Sequence, residues 1–277
     1  MFAPSDGTIT ANGKSSANLR IVCLMSLLDH LGLVLIALIA NGLSALAGGG
    51  AGLLQLPALI FLGLPFPIAL ATHKIASVAL GIGASLRHLK QSTFEARRLA
   101  LILATGLPGV VLGAMLVLEI PPRAGEIALG ALTIGLGWYS WRRPQLGQQM
   151  VAVAGDATHA LTGALGLFLI GVLNGSLTSG TGLMVTLWLV RWYGLSYTQA
   201  VAYTMVLVGL FWNGTGALVL GTLGEVRWTW LPALLIGSFV GGYLGSSLAL
   251  RYGNRLVKRV FEVVTVLTGL ALLLPWP

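Results

Sequence analysis

Acidic residues are scarce in this chain, eight Asp and Glu among 277 positions against sixteen Lys and Arg. Asp6, Asp29, Glu95, Glu119, Glu126, Asp156, Glu225 and Glu262 fall almost entirely in loops or at the ends of apolar runs. A carboxylate at mid-membrane depth, through which cation-linked carriers usually couple to Na⁺ or H⁺, is therefore not visible. Ser, His and carboxylate do not assemble into a nucleophilic set either, so an enzyme is not expected. The single cysteine, Cys23, cannot form an internal disulfide, and no Cys/His cluster has metal-ligand spacing. No metal or other cofactor is expected. Charged residues of both signs make up only 9% of the chain, too few to cover a water-soluble globule of this size.

What is present is apolar: 56% of residues are hydrophobic, and the mean hydropathy is +0.88. The chain belongs in a lipid bilayer as an all-α, polytopic protein. Apolar segments fall at 31–47, 52–63, 67–86, 99–118, 125–141, 161–178, 182–192, 197–222, 229–250 and 260–274, giving eight to ten membrane segments. A crossing needs about 20 helical residues, and 52–63 and 182–192 amount to only about 17–18 Å of helix. They are expected to start near mid-membrane and run out to one surface. Residues 1–20 read as a mobile polar tail, with 1–30 covering that tail and the start of the first helix. Ile21 to Leu28 resembles a signal-peptide core, but Asp29 and His30 interrupt it and no cleavage is expected.

Residues 41–54 reappear without a gap as residues 171–184, each pairing small and polar residues with a Gly cluster between apolar runs. The predicted organisation is a first membrane repeat over 31–143, a cytoplasmic linker over 144–160 and a second repeat over 161–277. An odd number of segments per repeat makes the two inverted. Eleven basic residues share one face: Arg87, Lys90, Arg97, Arg98, Arg142, Arg143, Arg191, Arg251, Arg255, Lys258 and Arg259. If that face is cytoplasmic, the protein sits in the cell (inner) membrane with both termini outside. The basic residues are short caps rather than a patch interleaved with aromatics, so nucleic acid is not an expected partner. Trp138, Tyr139, Trp141, Trp188, Trp192, Tyr193, Trp228 and Trp230 sit at segment ends as interface anchors.

Breaks inside hydrophobic segments are tolerated only where they are buried in protein or line a cavity. A helix restarting after Gly49, Gly50 and Gly52, or after Gly180 and Gly182, presents free N–H groups and the positive end of its dipole. Asn41, Ser44, Asn174, Ser176, Thr178, Ser179 and Thr181 add hydroxyl and amide donors suited to an oxyanion. The same small residues also suit close helix packing. Lys74 lies about two turns into its segment beside His73, and a cation at that depth needs a partner or a function. Asn213 reads as a helix–helix hydrogen-bonding residue.

The Gly-rich break, Gly63-Leu-Pro65 followed by Ala69-Leu-Ala-Thr-His-Lys74, and Gly106-Leu-Pro-Gly109 with Gly113 resemble the sulfite exporter TauE/SafE family over about residues 33–274. Within that motif Thr72 joins His73 and Lys74 as a candidate substrate-binding residue. The second half departs from it, with Ala202-Tyr-Thr-Met205 at the corresponding place. The resemblance implies a carrier moving sulfite, a sulfonate or a similar small anion, usually outward, by alternating access; an anion channel or a carrier for another oxyanion or carboxylate is the alternative. A homo-oligomer is compatible with this reading.

Overall fold

The computed structural model describes residues 11–117, 122–151 and 157–274; Asp6, Glu119 and Asp156 lie outside them, as do residues 1–10 of the expected tail and 152–156 of the expected linker. The described residues are predominantly helical, joined by short turns and loops, with no strand. Ten α-helices run in order: α1 Ala11–Ala47, α2 Ala51–Phe61, α3 Phe66–Gln91, α4 Ala96–Leu116, α5 Pro122–Trp141, α6 Ala157–Ser176, α7 Thr181–Tyr193, α8 Tyr197–Tyr203, α9 Asn213–Leu223 and α10 Leu231–Leu273. A π-helical stretch, Thr204–Trp212, joins α8 to α9 without interruption. Among the described residues, six helical stretches are long and apolar enough to cross a membrane: Leu28–Ala47, Phe66–Gln91, Ala96–Leu116, Ala157–Ser176, Tyr197–Leu223 and Trp228–Ala271.

One difference from the sequence reading has a simple cause. Residues 11–20 belong to α1, because Ala, Ser and Asn there lead into the apolar run with no Pro to stop the helix. The expected segments 229–250 and 260–274 are two helices that meet at Gly253, whose φ of 70° and ψ of −165° kink the chain, and α10 denotes both. Residues 231–252 and 254–273 are each long enough for one crossing.

The short helices fold back. Asn41 on α1 donates to Gln55 on α2 at 3.2 Å, and Leu33 shares a buried cluster with Leu56 and Leu59, so α2 returns alongside α1 to the end where α1 entered. Likewise Trp188 and Trp192 on α7 donate to the carbonyls of Gly163 and His159 near the start of α6. Each Gly cluster is thus the tip of a helical hairpin buried in the molecule. The two ends of the molecule are tied separately. His30 bonds the Thr229 carbonyl at one end, and at the other Asn254 accepts from Thr198 and donates to the Gln148 carbonyl.

Glycines set the helix spacing that brings the hairpins to the centre. Gly237, Gly241 and Gly245 on α10 let α1 approach until its backbone carbonyls at Val34, Leu38 and Gly42 occupy the space a Cβ would need. On the other side, Gly109 and Gly113 of α4 meet the backbone of α6 at Phe168 and Val172. In lipid, where apolar surface does not drive helices together, such close approach supplies the dispersion contacts that do. Gly113→Val would put its Cβ 1.9 Å from the Val172 carbonyl oxygen, whereas Gly135 on α5 faces open space. Thermal unfolding of the purified protein is expected to show a loss of about 1–3 kcal/mol for Gly113→Val and no loss for Gly135→Val.

Candidate functional site

The two hairpin tips touch through bare backbone. A Cβ on Gly49 would stand 2.3 Å from the Gly182 carbonyl carbon, and one on Gly182 would stand 2.7 Å from the Gly49 Cα. Gly50 (φ 104°) and Gly180 (φ 73°) occupy the N-cap positions of α2 and α7 in the left-handed region, and neither cap provides a side-chain acceptor. The Thr178 carbonyl meets the Thr181 N–H at 3.4 Å, and no side chain caps either start, so the positive ends of both helix dipoles border the same cavity. Each tip is tied to the other hairpin. Thr186 on α7 donates to the Gly48 carbonyl at 2.6 Å, and Ser179 donates to the Gly52 carbonyl at 3.1 Å. Thr178, at φ 61°, is the only non-glycine at positive φ among the described residues, an uncommon state for a β-branched side chain.

A cavity of about 30 Å³ opens where the tips meet, room for roughly one or two waters. Ser44, Gly49, Gly50 and Gly52 line it from the first hairpin; Asn174, Thr178, Thr181 and Gly182 line it from the second. His73 and Ser77 close it from α3, with Thr204, Met205 and Gly209 of the π-helical stretch and Asn213 of α9 opposite. No carboxylate lines it.

His73 is oriented by its neighbours. The Gln55 side-chain carbonyl accepts from Asn41 and lies 2.9 Å from His73 Nδ1, while Ser77 Oγ lies 3.1 Å from Nε2. A neutral ring satisfies both contacts with Nδ1–H donating to Gln55 and Nε2 accepting from Ser77. Lys74 is fully buried yet does not itself line the cavity. Its Nζ donates to the backbone carbonyl (2.7 Å) and side-chain carbonyl (2.8 Å) of Asn174 and to Asn213 Oδ1 (3.3 Å). Its stem fits beside Gly216, where an added Cβ would lie 3.2 Å from Lys74 Cε. All three acceptors are neutral. The ammonium thus stands one layer behind Asn174 and Asn213, which carry its field to the cavity.

Nine of the fourteen candidate residues line the cavity: Ser44, Gly49, Gly50, Gly52, His73, Asn174, Thr178, Thr181 and Gly182. Lys74, Ser179 and Gly180 adjoin it through the contacts above. Asn41 and Thr72 are elsewhere. Asn41 bonds Ala37, Gln55 and Ser238, and Thr72 accepts from the Arg227 backbone N–H at 3.0 Å near one end of the molecule. Gln55, Ser77 and Thr204 escaped the sequence reading. Gln55 is the one amide in an otherwise apolar α2, and Ser77 is one turn beyond His73, so both carried a signal.

The model of the family described as sulfite exporter TauE/SafE matches residues 33–272, which include every residue of this centre. The chain belongs to that family. Among its relatives is a probable membrane transporter protein of Haemophilus influenzae, 27% identical over 231 residues, covering 83% of this chain and 89% of the relative. Another is the probable membrane transporter protein YfcA of Escherichia coli K12, 28% identical over 244 residues, 87% of this chain and 88% of that one. A third, the probable membrane transporter protein YunE of Bacillus subtilis, is 22% identical with 87% and 96% covered. No solved structure matches significantly. As a TauE/SafE member with six apolar crossing-length helices, the protein is a multi-pass membrane transporter.

The tip contact is the testable element of this geometry. Gly49→Ala drives a Cβ into the Gly182 backbone, while Gly63→Ala, also at positive φ, meets nothing within 4 Å. Gly63→Ala is expected to lose about 1–2 kcal/mol of torsional origin. Gly49→Ala should lose distinctly more, read as the difference between their melting temperatures in detergent.

Proposed function

We propose that this transporter moves a small oxyanion, sulfite or an organosulfonate, outward across the cell (inner) membrane by alternating access around the cavity at the hairpin tips. The observation that carries this reading is a buried centre toward which two uncapped helix N-termini converge, backed by Lys74, with no carboxylate in its lining. Positive potential without a built-in counter-charge favours an anion. The family's description as sulfite exporter points to the same substrate class. Since about 30 Å³ is too small for a pyramidal or tetrahedral oxyanion, the tips separate when substrate binds.

The two halves act as inverted repeats in this mechanism. Support comes from spacing: Gly50 and Gly180 open their helices 130 positions apart, and Gly48 and Thr178, also 130 apart, both have positive φ. His73 contacts Gln55 18 positions earlier, and Thr204 likewise contacts Thr186 18 positions earlier. The halves differ where Lys74 and His73 have Met205 and Thr204 as counterparts, so one side of the site carries the charge. With the basic face cytoplasmic and both termini outside, an inside-negative potential favours anion exit by about 2.3 kcal/mol per charge per 100 mV.

The test is uptake of labelled sulfite into proteoliposomes under a set potential and pH gradient, with sulfate, thiosulfate and taurine as competitors. Saturable flux with counterflow is expected; large unitary currents would instead make the protein a channel, and no flux from folded, inserted protein would reject the substrate class. Lys74→Met should lower the initial rate about tenfold or more, equivalent to about 1.4 kcal/mol. A folded Lys74→Met protein transporting like the parent would remove Lys74 from the site.

A further inference from the structure

Away from the centre, two further cavities lie at the basic end of the molecule. One, of about 580 Å³, is formed by the end of α5, the loop after it and the end of α7, and carries Arg142, Arg143 and Arg191 with no Asp or Glu among the described residues of its lining. The other, of about 440 Å³, is an almost wholly apolar groove between α5, α6 and α7 that includes Leu136, Leu169, Leu173, Leu187 and Trp188. Tyr139 and Arg191 belong to both, so the charged pocket and the apolar groove adjoin at that pair.

We propose that the adjoining pocket and groove bind one anionic phospholipid, with the phosphate on the three arginines and an acyl chain passing Tyr139 and Arg191 into the groove. The guanidinium groups are already arrayed. Arg191 Nε donates to Tyr139 Oη at 2.8 Å, Arg143 lies 5.6 Å from the Tyr139 ring centre, and Arg142 stacks 4.6 Å from that of Trp138. Those contacts fix the cations by ring faces and a hydroxyl rather than by carboxylates, leaving their forks for phosphate oxygens. The loop that walls the pocket is anchored: Val151 N–H donates to the Gly194 carbonyl, Tyr197 N–H to the Gly147 carbonyl, and Asn254 to the Gln148 carbonyl. From Arg191 to Met184 the groove follows α7 for about 10 Å toward the membrane interior. A soluble anion would use the pocket and leave the groove empty, whereas a lipid fills both. A zwitterionic headgroup would bring its own ammonium against three arginines.

The experiment is native mass spectrometry of the full-length protein in neutral detergent, titrated with phosphatidylglycerol or with phosphatidylcholine of the same chains. Bound phosphatidylglycerol is expected, in preference to phosphatidylcholine and undisplaced by glycerol phosphate or inorganic phosphate. Arg142→Gln/Arg143→Gln/Arg191→Gln should lower its occupancy at least tenfold and Arg191→Gln alone about threefold, while Arg255→Gln leaves it unchanged. Equal binding of phosphatidylcholine, displacement by soluble phosphate, or unchanged occupancy in Arg191→Gln would each overturn the proposal. The single variant decides the matter if the triple variant fails to fold.

Discussion

Backbone against backbone at Gly49 and Gly182 is the contact on which the centre of this protein depends. Two helices are interrupted deep in the molecule, and each interruption exposes carbonyls and N–H groups that lipid cannot satisfy. Their proximity solves half of that problem, because Thr186 and Ser179 reach across to carbonyls of the opposite tip. The starts of α2 and α7, which no side chain caps, border a small cavity. Structural necessity at the carbonyl side and availability at the N–H side thus arise from one geometry.

Around this contact the polar groups form layers. Ser44, Thr178 and Thr181 stand at the cavity; Asn174 and Asn213 connect it to Lys74; Gln55 and Asn41 support His73 from behind. The outer shell is apolar or glycine, which keeps the dielectric low and strengthens these interactions. One charge without a carboxylate among its partners is tolerable because three carbonyl oxygens replace water around the ammonium. The scarcity of acidic residues and the character of the site are two sides of the same fact.

Much of the fold was legible because its signals are local. Glycine clusters inside apolar runs mark breaks at 48–50 and 178–180, and segment length alone distinguishes α2 and α7 from the crossing helices. Which polar residues converge was harder to read, because Lys74 meets Asn174 from 100 positions away and Asn213 from 139. Lys74 looked like a direct ligand by depth, but depth does not say which neighbour intervenes. The π-helical stretch was illegible for a different reason: after Thr204 it is apolar to Trp212, so its sequence has no polar stripe whose period could reveal the wider turn. Trp212, fully buried and occupying the space above Gly106, likewise sits in a run where every position is a plausible core position.

Gly253 gives α10 a property that neither of its parts has alone. The part before it packs on α1 and α3 through Gly237, Gly241 and Gly242, and the part after it packs on α5 through Thr265 and Gly269. Asn254 is held by Thr198 and Gln148, so the chain is pinned immediately after the break. Nothing lies within 4 Å of where a Gly253 side chain would be. The angle between the two parts is therefore governed by the torsions of one residue rather than by interdigitated side chains. Mechanically this is a joint between two packed blocks, open at Gly253 itself and clamped one residue later by the Asn254 side chain.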